Sequence, residues 1–137
     1  MNHSPAEISA SFLKTVELFT EPGGEMPLYI GSLPDELTDA AVVIDTAGRI
    51  EGRRLPSGVY QEQYGIQIKL RSSNYKVGWV FLQTVCDYLS SVQNETVTVE
   101  DDSYVLDTAN QTSPVFALGQ DEKRREMFTT NFLLMIR

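Results

Sequence analysis

From Tyr64 to Arg71 the chain alternates: Tyr64, Ile66, Ile68 and Leu70 are separated by Gly65, Gln67, Lys69 and Arg71. A period of two marks a strand with one face on a core and the other wet. The pattern changes at Ser72-Ser73, where a serine hydroxyl suits a helix cap. Beyond it, apolar positions recur at helical spacing to about Val92. Tyr75, Trp79, Leu82, Cys86 and Leu89 form one stripe; Val77, Phe81, Val85, Tyr88 and Val92 form a second. Lys76, Gln83, Asp87 and Ser90 fill the remaining arc. Two stripes are wider than the ~100° that one packed face needs. The helix therefore has two things to pack on: its own sheet, and either a second helix or a neighbouring subunit.

A first helix opens at Ser4-Pro5-Ala6-Glu7, with Ser4 at the N-cap, Pro5 at the first helical position and Glu7 closing a capping box. Ile8, Phe12, Val16 and Phe19 follow at helical spacing, with Leu13 beside them, and Pro22-Gly23-Gly24 is the breaker after them. This helix is a candidate partner for the second stripe. Met26 to Ile30 and Ala40 to Asp45 read as short strands around a polar, turn-like stretch. Residues 47–63 read as an extended loop, longer than the ~4–6 residues of an ordinary connection, and they are the one net-basic stretch of the chain.

After the central strand and helix, Thr96–Val99 and Tyr104–Leu106 read as a hairpin around Glu100–Ser103. Pro114–Leu118 and Met127–Ile136 read as a second, with 119–126 as its charged tip. In the last strand Phe128, Thr130, Phe132, Leu134 and Ile136 share a face, and Leu133 and Met135 suggest partial cover on the other. The order predicts a single α+β domain over 1–137, a largely antiparallel or mixed β-sheet with two helices packed on one face.

At 137 residues, 42% of them hydrophobic, the chain can bury a core without a metal or disulfide staple. Its net charge is −8, and Glu95, Glu100, Asp101, Asp102 and Asp107 cluster. That balance argues against binding along a nucleic-acid backbone, which lysines and arginines drive. Cys86 is the only cysteine, and its place in an apolar stripe makes it a core residue. No basic-then-apolar leader opens the sequence, and no apolar run approaches the ~20 residues of a membrane span. The expected setting is a reducing cytoplasm or a particle assembled there.

Catalytic constellations fail on residue supply. His3 is the only histidine and lies in a terminal tail expected to fray. Gly23-Gly24 is followed by no Lys-Ser/Thr, so it is not a phosphate loop. Glu100-Asp101-Asp102 could hold a cation, but neighbours on a tight turn point apart, and a solvated tip is expected. Asp45 has no second carboxylate placed with it by the sequence. The expectation is a protein without catalysis, cofactor or metal.

Several stretches together resemble a known family. Val42-Val-Ile-Asp-Thr-Ala-Gly48 is followed by an Arg- and Pro-containing loop, then by Tyr64-Gly-Ile-Gln-Ile-Lys-Leu-Arg71-Ser-Ser-Asn-Tyr75 and a helix ending Asp87-Tyr-Leu89. Pro114-Val-Phe-Ala-Leu-Gly-Gln-Asp-Glu122, an arginine pair and Phe128-Thr-Thr-Asn-Phe132 close the chain. Over residues 40–137 this is similar to the phage minor capsid proteins, which look like the tail terminators of long-tailed bacteriophages. The resemblance implies a structural protein of the virion tail or neck, assembled in the host bacterial cytoplasm. It implies a homo-oligomeric ring of six on the tail tube protein, ending tube polymerisation and meeting the head-completion or connector protein. No membrane and no sequence-specific nucleic-acid binding are implied, although genomic DNA would pass through the ring. Another head–tail joining protein, or a small adaptor domain binding a protein through 47–63, is the alternative.

A head-to-tail ring needs two complementary patches on each subunit. The basic candidates are Arg49, Arg53 and Arg54 in the 47–63 stretch and Arg124 and Arg125 at the second hairpin tip. Gln67, Lys69 and Arg71 stand on the wet side of the central strand, and Asp101 and Asp102 offer the acidic counterpart. Arg71 reads either as a surface charge paired with a nearby acid or as a contact across the ring. Arg53 and Arg54 read either as a solvated tip or as an interface. Gly65 reads as a close crossing of the sheet by another group, and Trp79 as core.

Overall fold

A computed structural model of the chain describes residues 1–20, 26–51 and 61–137. Helix α1, Pro5–Thr15, begins as the sequence predicts: the Ser4 hydroxyl accepts from the Glu7 N–H, and the Glu7 carboxylate accepts from the Ser4 N–H. Strands β1 (Leu28–Ile30) and β2 (Ala40–Glu51) follow, then β3 (Gln61–Ser72), helix α2 (Tyr75–Ser90), and strands β4 (Glu95–Val99), β5 (Asp102–Gln120) and β6 (Glu126–Ile136). The six strands form one sheet in the order β1-β2-β3-β6-β5-β4, parallel only between β1 and β2. This is the expected α+β class with a mixed sheet.

The alternation in β3 is what it predicted. Ile66, Ile68 and Leu70 are fully buried in the core cluster with Leu13 of α1, Leu82 and Leu89 of α2, and Phe128, Phe132 and Leu134 of β6. Each such side chain contributes about 1.5–3 kcal/mol by leaving water. Both helices lie on this face. Helix α2 covers β3, β6 and β5, whereas α1 touches β1 and β2 near one edge and β4 at the other. The Ser11 hydroxyl donates to the Thr98 carbonyl of β4 at 2.9 Å. One helix reaching both edges means that the sheet curls around it.

Four expectations are corrected. Residues 47–51 and 61–63 are not loop but the paired ends of β2 and β3, in the register Arg49↔Gln63, Ile50↔Glu62 and Glu51↔Gln61. Residues 52–60 lie outside the described residues. The two strands expected within 104–118 are the single strand β5, because register shifts at four places let it pass the polar 108–113 stretch and Pro114 without leaving β6. The cap of α2 is Asn74, whose carboxamide oxygen accepts from the Val77 N–H at 3.0 Å, while Ser72 shapes the turn before it. Finally, His3 does not fray. Its ring lies 2.8 Å from the Tyr104 hydroxyl through Nδ1 and edge-on to the Tyr104 ring.

The second stripe of α2 finds only part of the cover predicted for it. Phe81 meets Phe19, from the segment after α1, with ring centroids 5.2 Å apart. Val77, Val80 and Tyr88 remain exposed. Trp79 is half-buried rather than core, stacked on Tyr75 and edge-on to Phe128.

Candidate functional site

The ends of β2 and β3 make an arm. From Asp45 to Ile50 every side chain is exposed, and Ile50 is 64% accessible. A bulge at Ala47-Gly48 sets the arm's twist where the ladder shifts between Thr46 and Arg49. No side chain fits at Gly48 or Gly65. A Cβ on Gly48 would come within 2.0 Å of the Gln63 carbonyl oxygen, and one on Gly65 within 2.6 Å of the Ala47 carbonyl oxygen. The close crossing expected at Gly65 is therefore this bulge. Arg49 stands on the arm; Arg53 and Arg54 fall in 52–60, outside the described residues.

Two other arginines expected at a surface are buried. Arg71 is 4% and Arg125 6% exposed. They clamp the stretch between β1 and β2 onto the sheet. The Arg71 guanidinium donates to the Pro34 and Leu37 carbonyls. Arg125 donates to the Leu37 carbonyl at 3.0 Å, to Asp35 at 2.8 Å, and through Nε to Asp121 at 2.8 Å. Both groups are committed inside the subunit, which corrects the exposed position expected of them. Alternation placed Arg71 on the wet side of β3, and a distant segment covers it there.

The clamp is electrostatically polarised. Hydrogen bonds from Lys123 and then Arg125 hold the Asp35 carboxyl below its usual range. The Asp121 carboxyl is held at about 2, chiefly by the Arg125 side chain and then by the Arg125 N–H. The same bond to Asp121 raises Arg125, whereas burial and then the nearby Arg125 charge lower Arg71. Arg124, next to the clamp, is exposed with φ 60° at the β5–β6 tip.

Asp101 and Glu100 form the two-residue β4–β5 turn, with Glu100 at φ 55°. Asp101 is exposed; Asp102 is half-buried and accepts from the Asn2 carboxamide at 3.3 Å. His3 lies 3.4 Å from Glu100 and 3.6 Å from Asp102. The acidic turn is thus a dock for the N-terminus as well as a charged surface. Asp45 also turns out to be structural, accepting from the Ala6 N–H at 2.9 Å at the start of α1.

The helix-free face of the central sheet carries Gln67 and Lys69, both half-exposed, in one ladder with Asn131 and Thr129 of β6. At the sides of this sheet the edge strands are short. Strand β1 pairs only with Ala41–Val43, leaving β2 from Ile44 onward without a neighbour on that side among the described residues. Strand β4 pairs only with Asp102–Leu106, leaving β5 from Thr108 to Gln120 open likewise. Sequence reasoning missed both open edges. Phe116 and Leu118, 42% and 49% exposed on the second, are the signal that could have found it.

Among the described residues no group of three His, Cys, Asp or Glu side chains could hold a metal, and no helix is long and apolar enough to cross a membrane. Cys86 is buried beside Thr130 and Gln111, and its burial pushes the thiol pKa up, away from reactivity. The search of curated proteins found no match. A family model described as bacteriophage tail terminator protein matches residues 12–136, nearly the whole chain, and the protein belongs to that family of phage structural proteins.

Proposed function

We propose that the protein acts as a ring on the head-proximal end of the tail tube, where it ends tube polymerisation and receives the head connector. The observation that carries this is the offset of the two open edges. Across β2, β3, β6 and β5 the strands alternate in direction. The open length of β5 therefore meets the open length of a neighbour's β2 antiparallel, the pairing that four of the five strand pairs in the subunit already use. The two lengths are also staggered. Val42 is in line through Lys69 and Thr129 with Phe116, while Ile50 lies beyond the Tyr64–Leu134–Ala109 row. A closed sheet needs such a shear between successive strands.

Repeating one edge-to-edge contact makes a head-to-tail ring, and the resemblance noted above supplies the number six. The arm bearing Arg49 then extends along the neighbour, toward an acidic surface such as the Glu100-Asp101 turn. Gln67 and Lys69 face the channel through which DNA passes, and Arg124 stands at a rim. Tube protein and connector bind the two rims.

The test is paired cysteines at Thr46 and Thr112, one on each open edge. Oxidation of assembled tails should give a ladder of cross-linked species ending at six subunits, while either cysteine alone gives none. Absence of this chain from the tail–head junction in electron micrographs of virions, or a twelve-fold ring there, overturns the reading.

A further inference from the structure

The outward side of α2 is only partly covered in the subunit, where Phe81 is half-buried against Phe19. Val77, Phe81, Thr84 and Tyr88 follow one another at helical spacing with Val80 beside them; Val77 is 58%, Val80 47% and Tyr88 44% exposed. Lys76, Val77, Val80, Phe81 and Thr84 line an apolar hollow of about 400 Å³ here. The stripe runs about 16 Å, eleven positions at 1.5 Å each. Its centre lies roughly 120° round the helix from the side that Leu82, Val85, Cys86 and Leu89 bury, so Val77 and Val80 face away from the subunit's own sheet.

The charges beside the stripe identify what covers it. Lys76 and Asp87 are eleven positions apart, about three turns, so they stand on the same flank of the helix at opposite ends of the stripe. Both are exposed, and neither has a salt bridge in its own subunit among the described residues. Turn a second α2 antiparallel onto the first about a two-fold axis perpendicular to both helices. The axis keeps the flank and inverts the ends, so Lys76 of each copy meets Asp87 of the other. Val77 faces Tyr88, and Val80 faces Thr84, within one residue of the same centre. A parallel two-fold pair would instead put the two charged flanks on opposite sides of the contact, where neither Lys76 nor Asp87 meets an opposite charge of the other copy.

We infer that two copies of this protein pair through antiparallel α2 helices, with the Val77–Tyr88 stripe buried between them and two Lys76–Asp87 bridges fixing the register. The contact is isologous. It uses the helical face and leaves both open sheet edges clear, so it stands independently of the ring. One helix face is a small contact, and the pair is accordingly weak and reversible.

The test is sedimentation velocity of the purified protein across a hundredfold range of concentration. A reversible monomer–dimer equilibrium is expected. Val80→Asp should weaken it by tenfold or more without lowering the melting temperature, since the residue is exposed. Lys76→Asp and Asp87→Lys should each weaken it, and the double exchange should restore it, because the antiparallel register returns opposite charges to both sites. Three results overturn the inference: no dimer at any concentration; a dimer indifferent to Val80→Asp; or a double exchange no better than the single changes. A dimer abolished instead by Phe116→Lys would belong to the β5 edge and would also overturn it. Loss of the α2 pair leaves the cross-linking ladder of the ring untouched, so the two readings fail separately.

Discussion

Arg71 of β3 and Arg125, the last residue before β6, converge on a single acceptor, the Leu37 carbonyl oxygen. Two like charges sharing one acceptor persist only because other groups neutralise them. Asp35 and Asp121 do so for Arg125, and the charges of Asp121, Asp35 and Glu36 act on Arg71, which also donates to the Pro34 carbonyl. The short β1 is held to the sheet at its far end by this pair, so the shape of one edge depends on residues from the other end of the chain.

Arg71→Met is expected to destabilise the fold by about 1–3 kcal/mol, because it leaves the half-buried Pro34 carbonyl without its donor and the Leu37 carbonyl with Arg125 alone. Asp35→Asn, which leaves both arginines their backbone acceptors, should cost much less. Thermal unfolding of the two variants checks the order; equal losses would contradict the clamp.

Acid should loosen the same clamp. Asp121 is held at about 2 in the folded protein against an ordinary value of 3.8, so the folded state favours its ionised form. A depressed folded pKa contributes stability that is fully present above the unfolded value and is lost as pH falls through the folded one. Stability should therefore decline between about pH 4 and pH 2, and Asp121→Asn should flatten that decline. Urea midpoints measured across this range decide it.

The buried thiol gives a simple probe of the core. Cys86 is 2% exposed and its pKa is raised by burial. A thiol reagent at pH 8 should leave it unmodified in the native protein and modify it fully in denaturant. Rapid native reaction would mean that α2 opens from β6 and β5.

How much of this was legible in the sequence follows from what each signal depends on. The Ser4–Glu7 capping box and the Ile66–Ile68–Leu70 face are local patterns, and both appear in the structure as written. The arm was not legible. Strand residues that project past the core have no apolar face to alternate, so Arg49 and Gly48 looked like loop. Strand β5 was divided for a related reason, since its bulges shift the inward positions and break the period that marks a strand. Arg71 shows the remaining limit. Its side of the sheet was correct, but the segment that buries it comes from more than thirty positions away, and no local pattern contains that.

Blocking the β5 edge should separate folding from assembly. Phe116 is 42% exposed and contributes little to the subunit's own core, so Phe116→Lys should leave stability within about 0.5 kcal/mol. A lysine on an open edge discourages pairing with another strand. Tails assembled with this variant should grow past their normal length, because the tube end is left unmarked. Tails of normal length would place the subunit contact elsewhere.

Gly48→Ala tests the arm most directly. The added carbon would sit 2.0 Å from the Gln63 carbonyl oxygen and 3.0 Å from the Gly65 N, all backbone, so no side-chain rotation relieves it. The bulge must therefore open, and the paired residues beyond it, Arg49–Glu51 with Gln61–Gln63, must move relative to the sheet. The core does not depend on them, since Ile66, Ile68 and Leu70 lie on the other side of the bulge. The expected cost is about 1–3 kcal/mol, as for other forced overpacking, with amide shifts concentrated in 44–51 and 61–66. If the arm reaches a neighbouring subunit, the variant should fold as a monomer and fail to cap tails in a reconstitution assay. A variant that caps tails normally, with its arm demonstrably displaced, would remove the arm from the assembly surface and leave the sheet edges to carry the ring alone.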